Sequence, residues 1–220
     1  MSFIRALIVL HRAYRHRGAR TRVHVLIRFL TCPFLRVLDE VPRGARVLDI
    51  GAGHGLFARL VAARGARRVV AVEPDVRKVQ PVDGVTFVAG FDDVVRGRFD
   101  AITIIDVLYK IPIAEWDALF ARCAERLERG GVLVIKEHDP TARIKNRWNR
   151  VQEWLASKMR LTLGQSFSYE TPAAFSARLE RAGFAEVRVR RVDFGYPHPH
   201  VLYVARLVNV RPEQRCSAPR

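Results

Sequence analysis

The sequence predicts an α/β protein built around an open, largely parallel sheet, and three observations support this prediction. Strand-like runs of Val, Ile and Leu alternate with segments of helical spacing between residues 44 and 208. The first run, 47–50, passes through closely spaced glycines directly into a helical pattern. The last two runs, 185–193 and 200–208, are joined by a short Pro-containing turn, which predicts an antiparallel pair at the end of the chain.

Length and charge limit the class of protein. A chain of 220 residues is long enough for one sizeable domain with a buried core. The formal net charge of +16 indicates an acidic partner, which could be a phosphate-bearing substrate, nucleic acid or an anionic membrane surface. A bias in genomic base composition is an alternative source of part of this charge.

The cysteines and the apolar runs indicate the compartment. Cys32, Cys123 and Cys216 have no spacing typical of a disulfide framework or a metal site, so we expect a reducing setting and no bound metal. The N-terminal apolar run is too short for a secretory signal, and no stretch approaches the ~20 apolar residues of a membrane span. These observations predict a cytoplasmic protein that does not cross a bilayer.

Residues 1–43 predict a basic helical arm, which Gly18 divides into two helices. Apolar residues recur there at helical spacing, and eight arginines lie around them: Arg5, Arg12, Arg15, Arg17, Arg20, Arg22, Arg28 and Arg36. Two interpretations stay open. Either the helices pack on the core with their arginines in water, or they form a basic amphipathic surface. Such a surface would guide an anionic substrate or lie on anionic lipid at the inner face of the membrane.

The run Gly51-Ala-Gly-His-Gly55 is the strongest candidate for a cofactor loop. A strand that turns tightly into a helix through glycines brings bare backbone N–H groups and a helix N-terminus against a ligand. Asp49 stands two residues before the first glycine, and Leu56 stands where a dinucleotide-binding fingerprint would have its third glycine. Glu73 follows the second strand-like run at the spacing at which a carboxylate accepts hydrogen bonds from both ribose hydroxyls.

The loop, together with its preceding acid, resembles the first motif of class I S-adenosylmethionine (SAM) methyltransferases. The segment 99–112 resembles the fourth motif of that family, in the form found in enzymes that act on small molecules and lipids. Tyr109 and Lys110 replace the two histidines usual in that form. The segment 126–137 is similar to the family's fifth-strand entry, and the closing strand pair is the expected end of its sheet.

The resemblance covers residues 44–208 and implies a Rossmann-like, doubly wound sheet of seven strands with the last strand antiparallel. It also implies a helical insertion after strand five, at 140–170, on the substrate side of the sheet. Methyltransferases of this fold often carry an N-terminal helical piece as a lid over the substrate pocket, and the resemblance implies that role for the arm, residues 1–43. From 209 to 220 the polar tail is predicted to be disordered.

The resemblance further implies which residues hold SAM. The family places the methionine end of SAM over the glycine loop, the ribose on the acid after the second strand and the adenine near the third. The cofactor-binding residues implied in this sequence are Asp49, Gly51, Ala52, Gly53, Gly55, Glu73, Phe91, Asp92 and Asp106. Of these, Asp92 comes one place later than the family pattern has its acid, and Phe91 is a candidate for stacking on the adenine.

A general base is needed only where the accepting atom must lose a proton. His138, at the end of the fifth strand, is the first candidate for that role, and Tyr109 is the second. His198 and His200, in the last hairpin, are candidate pocket residues.

The function predicted from the sequence is SAM-dependent methyl transfer to a small-molecule or lipid-like acceptor, in a biosynthetic setting. An RNA methyltransferase is the first alternative, because the arm is rich in arginine, although no RNA-binding module is recognisable. A non-catalytic SAM-binding regulator is the second alternative. An NAD-dependent oxidoreductase is disfavoured by Leu56 and by the closing strand pair.

Overall fold

A computed structural model describes residues 1–79, 83–91, 97–139 and 170–207. Three predicted features lie outside the described residues: Asp92, the tail 209–220, and the insertion 140–170 except for its last residue.

The described chain forms one seven-stranded sheet. Its strands are β1 (Arg46–Ile50), β2 (Arg68–Val72), β3 (Val85–Val88), β4 (Phe99–Ile105), β5 (Leu127–His138), β6 (Phe184–Arg191) and β7 (His200–Leu207). They lie in the order β3-β2-β1-β4-β5-β7-β6. The first five strands are parallel, whereas β7 runs antiparallel to both β5 and β6. The predicted doubly wound sheet with an antiparallel last strand is confirmed.

Six described α-helices surround this sheet. They are α1 (Phe3–Tyr14), α2 (Ala19–Thr31), α3 (Phe34–Glu40), α4 (Leu56–Ala63), α5 (Ile113–Arg126) and α6 (Pro172–Arg181). A short 3₁₀ turn, Leu108–Lys110, follows β4. Helix α6 is capped by Thr171, whose hydroxyl accepts a hydrogen bond from the Ala174 N–H group, and a proline begins the helix.

The arm contains three helices, so the prediction of two is wrong. Gly18 separates α1 from α2 as expected, but a second break follows at Cys32, whose backbone is extended (φ −117°, ψ 135°). Pro33 accounts for this break, because the residue before a proline is driven out of the helical region. The ring of Pro33 then stands immediately before α3.

Helix α5 passes directly into a strand. It stops at Arg126, and β5 begins at once with Leu127, so Gly130 and Gly131 lie inside the strand. The register between β4 and β5 is irregular at this point. A Cβ on Gly131 would lie 2.8 Å from the carbonyl oxygen of Glu128, which explains why this irregular stretch takes a glycine.

Helices cover both faces of the sheet, which explains why its central strands are continuous apolar runs. One face packs against α4 and the arm, whose buried side chains include Leu10, Phe29 and Leu38. The other face packs against α5 and α6 through residues such as Phe120 and Leu179. The inner side of the arm is therefore part of the protein core.

Candidate active site

A cavity of about 400 Å³ lies at the carboxyl ends of β1 and β4, between the sheet and α2. The strand order reverses between these two strands, and open α/β sheets bind ligands at such a point. The predicted site residues that line this cavity are Asp49, Gly51, Ala52, Gly53, Asp106 and Tyr109. The arm closes the opposite side with His24, Val25 and Arg28.

Backbone hydrogen bonds hold the glycine loop against β2. The N–H groups of Gly51 and Ala52 donate to the carbonyl oxygen of Val72 at 2.8 and 2.9 Å. The N–H group of Gly53 donates to the carboxylate of Glu73 at 2.8 Å. The loop therefore has a defined shape before any ligand binds.

Glycine is needed at position 51 and at position 53 of this loop for different structural reasons. Gly51 has a φ of 72°, and a Cβ there would lie 2.4 Å from a methyl group of Val107, so packing requires glycine. Gly53 has a φ of 58°, but no atom lies within 4 Å of the place of a Cβ. The loop therefore presents bare backbone to open space at Gly53, as a cofactor cradle needs. Gly55 immediately precedes α4.

Asp49 is a buried carboxyl group in the wall of the cavity, with only 2% of its surface exposed. The Thr103 hydroxyl donates to its Oδ1 at 2.8 Å, whereas its Oδ2 has no hydrogen-bond partner among the described residues. Burial raises the pKa of Asp49 to about 7. A donor or a positive charge bound in the cavity would satisfy this acceptor.

Glu73 is buried at the tip of β2, beside the glycine loop. One of its oxygens accepts from the N–H group of Gly53, and the other accepts from the N–H group of Asp75 at 3.0 Å. The Lys78 ammonium group lies 3.8 Å from the second oxygen. The carboxylate is thus positioned by the backbone next to the loop, where the sequence expects a ribose ligand.

Asp106 is at the centre of a buried charge cluster. The Lys136 ammonium group, which is fully buried, donates to Asp106 Oδ1 at 2.5 Å, and the Arg28 guanidinium group donates to Oδ2. Burial alone would raise the pKa of Asp106, but the two positive charges outweigh it and hold this pKa far below its usual range. The backbone of Asp106 has a φ of 53°, a strained conformation for a non-glycine residue.

Glu137 fixes the turn that follows β4. Its Oε1 accepts from the N–H groups of Val107 and Leu108, each at 2.9 Å. Burial and the nearby charge of Asp106 raise the pKa of Glu137 to about 8. Because side chains alternate along a strand, Lys136 and Glu137 act on different groups: the former holds Asp106 and the latter holds the turn that carries Tyr109.

Three histidines meet where β5 ends and β7 begins. The ring centroid of His138 lies 5.8 Å from that of His198 and 5.9 Å from that of His200. His200 donates from Nε2 to the carbonyl oxygen of Thr31 at 2.8 Å. Burial and the charge of Lys136 lower the pKa of His138 to about 4 and that of His200 to about 3. Both rings are therefore neutral at pH 7.

Tyr109 connects the two parts of the site. It lines the main cavity and also a small cleft whose wall includes His138, Trp116 and Phe175. The two residues predicted to serve as a base therefore lie along one surface. Glu170, the last residue of the predicted insertion, lines the same cleft.

Phe91 is outside this arrangement. The Arg122 guanidinium carbon lies 4.2 Å from the centroid of its ring, and Phe91 is not among the described residues that line the main cavity. Stacking of Phe91 on adenine stays a prediction.

Three charged residues of the site escaped prediction: Arg28, Lys136 and Glu137. Lys136 and Glu137 could have been found from the sequence, because they stand at the end of an apolar strand. Charged residues are rarely buried there without a specific partner. His24 and Arg28 stand one helical turn apart on α2, which indicates a shared polar face. The partner of that face could not be identified from this spacing.

Two further findings concern the described part of the chain. It contains no group of three His, Cys, Asp or Glu side chains arranged to hold a metal ion. Its helices include none with the length and apolar character that crossing a membrane requires.

Comparison with known proteins identifies the family. The chain matches the family model described as a methyltransferase domain over residues 20–189, which is more than half of its length. A ubiquinone biosynthesis O-methyltransferase of Xanthomonas oryzae pv. oryzae is 34% identical over 104 residues. That match covers 42% of this chain and 42% of the relative, so the chain spans less than half of the relative's length.

Solved structures agree on the fold. A SAM-dependent methyltransferase from Mesorhizobium loti aligns with a TM-score of 0.60 at 19% identity, over 78% of this chain and 96% of that one. Magnesium protoporphyrin IX methyltransferase from Synechocystis PCC 6803, solved with bound SAH, aligns with a TM-score of 0.59 at 18% identity. The second match covers 91% of this chain and 93% of that one.

The sheet order, the glycine loop and the cavity together define a class I SAM-dependent methyltransferase fold. The chain belongs to the methyltransferase-domain family. The family, the fold class and SAM as the cofactor are confirmed as the sequence predicts them, and the NAD-dependent alternative is thereby set aside.

Proposed function

We propose that this protein transfers a methyl group from SAM to a small-molecule or lipid-like acceptor, with residues 44–208 as the catalytic domain and 1–43 as its lid. One observation carries the proposal: the buried, unpartnered oxygen of Asp49 stands in the wall of a cavity whose glycine loop presents bare backbone. The names of two similar proteins, ubiquinone biosynthesis O-methyltransferase and magnesium protoporphyrin IX methyltransferase, refer to small-molecule acceptors.

The residues of the cavity suit SAM chemically. SAM supplies an electrophilic methyl group on a positively charged sulfonium, and its methionine end carries an ammonium and a carboxylate group. Asp49 would meet positive charge, and Glu73 would accept from the ribose hydroxyls. The positive groups that line the cavity, Arg28, Lys78 and Lys110, suit the carboxylate. Asp106 would act mainly through Arg28, since its own oxygens are bound by Arg28 and Lys136.

The acceptor would lie on the side of Tyr109 and His138. A neutral imidazole can take a proton from an acceptor hydroxyl, and burial keeps His138 neutral at pH 7, although the same lowering of its pKa makes it a weaker base. Tyr109 would orient the acceptor between the cavity and the cleft. The protein's main contribution to such a displacement is to hold the acceptor atom in line with the methyl group.

Peripheral contact of the arm with an anionic membrane is part of the same proposal. Large apolar side chains are exposed on α1 and α2: Phe3, Ile4, Ile8, Ile27 and Leu30. The arginines between them would meet lipid phosphates while the apolar side chains enter the interface.

The test uses SAM with a labelled methyl group, mixed with the pure protein and an extract of the source cells. Label is then measured in organic, aqueous small-molecule, protein and nucleic-acid fractions. We expect it in the organic or small-molecule fraction, and Asp49→Asn should remove it. Label in RNA would contradict the proposed acceptor class. Tight SAM binding with no labelled fraction would contradict catalysis itself.

A further inference from the structure

Helices α1 and α2 of the arm border a second cavity. It measures about 420 Å³ and lies between α1 and α2. Leu7, Leu10, Val23 and Leu26 supply apolar walls, and the ring of Tyr14 lines it as well. We name this cavity the arm groove. Its size and apolar lining are those of a small-molecule site.

The polar groups of the arm groove indicate the kind of ligand. His11 and Arg22 also line it, and both are exposed. No acidic residue is among its described lining residues. An apolar groove with no acidic residue among its described lining residues suits a chain of hydrocarbon.

The arm groove shares a wall with the cofactor cavity. Val25 lines both, and it is almost fully buried between them. The Tyr14 hydroxyl donates to the carbonyl oxygen of His54 at 2.7 Å, and His54 lines the cofactor cavity. The Arg59 guanidinium group donates to the same hydroxyl at 3.1 Å, which fixes the ring of Tyr14. A ligand in the arm groove therefore lies against the structure that forms the cofactor site.

We infer that the arm groove binds the single alkyl or isoprenoid chain of the methyl acceptor, and that this protein acts on acceptors with a long apolar tail. The inference rests on the proposed function, since it concerns the acceptor of that same reaction. The shared wall favours the acceptor's own chain over a bilayer lipid. Holding the chain in the arm groove keeps the head beside the cofactor cavity and contributes binding energy away from the reacting atoms.

The binding experiment uses the full chain and an unbranched series of fatty acids, from decanoate to tetradecanoate, each below its critical micelle concentration and without vesicles. Affinity should rise about three- to fourfold for each added methylene, until the arm groove is full. Leu26→Arg should weaken tetradecanoate binding at least tenfold, because Leu26 lines the arm groove.

Ile27→Arg is the matched control, because Ile27 is the next residue on α2, is 55% exposed against 47% for Leu26, and does not line the arm groove. It should leave tetradecanoate binding unchanged, and both variants should bind SAM as the unaltered protein does. Affinity that is independent of chain length, or equal loss in both variants, would overturn the inference. A stable dimer that Leu26→Arg dissociates would overturn it too, by showing that a second copy fills the arm groove.

A kinetic experiment separates the acceptor from a lipid. Tetradecanoate should inhibit formation of the organic-extractable methylated product competitively against the acceptor and not against SAM. Methyl transfer that is insensitive to saturating tetradecanoate would show that the arm groove serves a lipid other than the acceptor. Loss of SAM binding or of all methyl transfer, with chain binding intact, would instead contradict the proposed function.

Discussion

The two halves of the ligand-binding edge are held together by different means. On the β1–β2 half, backbone N–H groups fix the loop, and Glu73 bonds to Gly53 across 20 residues of sequence. On the β4–β5–β7 half, buried charges and histidines fix the geometry. Asp106 bonds to Lys136 across 30 residues and to Arg28 across 78. The comparison teaches that the geometry of the β1–β2 half follows from a local motif, whereas that of the β4–β5–β7 half depends on the docked arm.

The largest expected effect is on the rate of methyl transfer and concerns His138, at the end of β5. If His138 takes the proton, His138→Gln should lower kcat by about 10²–10⁴-fold and leave SAM affinity unchanged. Since the pKa of His138 is lowered to about 4, the rate should not fall through protonation of this ring until the pH approaches 4. Stopped-time assays across pH 4–8, with Tyr109→Phe in parallel, measure this. If Tyr109→Phe shows this loss of kcat and His138→Gln does not, the base is Tyr109.

Lys136→Met should lower the free energy of unfolding by about 3–5 kcal/mol, because it removes one partner of a buried ion pair. Lys136 is fully buried, and its loss leaves Asp106 with Arg28 alone. Chemical denaturation measures the effect, with the exposed Lys110→Met as a control. A loss of less than 1 kcal/mol would show that Arg28 alone is enough to balance Asp106.

Glu73→Ala should weaken SAM binding by roughly 1–3 kcal/mol through the loss of charged hydrogen bonds. It also leaves the Gly53 N–H group without its carboxylate partner, so the glycine loop should become more mobile. Calorimetric titration with SAM gives the affinity, and Glu128→Ala, remote from the cavity, is a control. Unchanged SAM affinity would remove Glu73 from the ribose.

Asp49→Asn should change the way in which the stability of the protein depends on pH. The folded pKa of Asp49, about 7, lies above its usual value, so the ligand-free protein loses stability from this group as the pH rises from about 4 to 7. At pH 8 the variant should therefore be more stable than the unaltered protein, by roughly 1–3 kcal/mol, and at pH 4 the difference should disappear. Thermal unfolding at both pH values measures this. A variant that is less stable at pH 8 would show that the charged carboxylate is well satisfied.

The smallest expected effect concerns the outer side of the arm. Ile4, which is 70% exposed, should enter the interface of an anionic vesicle, so Ile4→Glu should weaken vesicle binding by about 1–2 kcal/mol. Sedimentation with anionic vesicles at low and high salt gives the affinity, and Val76→Glu, an exposed apolar residue outside the arm, is a control. Point variants are preferable to deletion of the arm, because the arm supplies part of the core.

The sequence could predict the first half of the site for a physical reason. A strand, glycines and an acid lie within one short segment, so their geometry follows from local chain stereochemistry. The positions of Asp106 and His138 could also be predicted, since strand ends meet at one edge of the sheet. Their partners could not be predicted. Arg28 reaches Asp106 only because α2 packs across the edge, and no local pattern encodes that contact.

The contact between Arg28 and Asp106 joins two segments that are synthesised at different times. A ribosome releases α2 before β4 and β5 have been synthesised, so Arg28 emerges when its carboxylate partner does not yet exist. The contact between Arg28 and Asp106 can form only after β4 has been translated, and the charge cluster is complete only after Lys136 of β5 has followed. Helix α2 is therefore synthesised before the residues that hold it at the sheet edge, and this part of the site is completed only when β4 and β5 have been made.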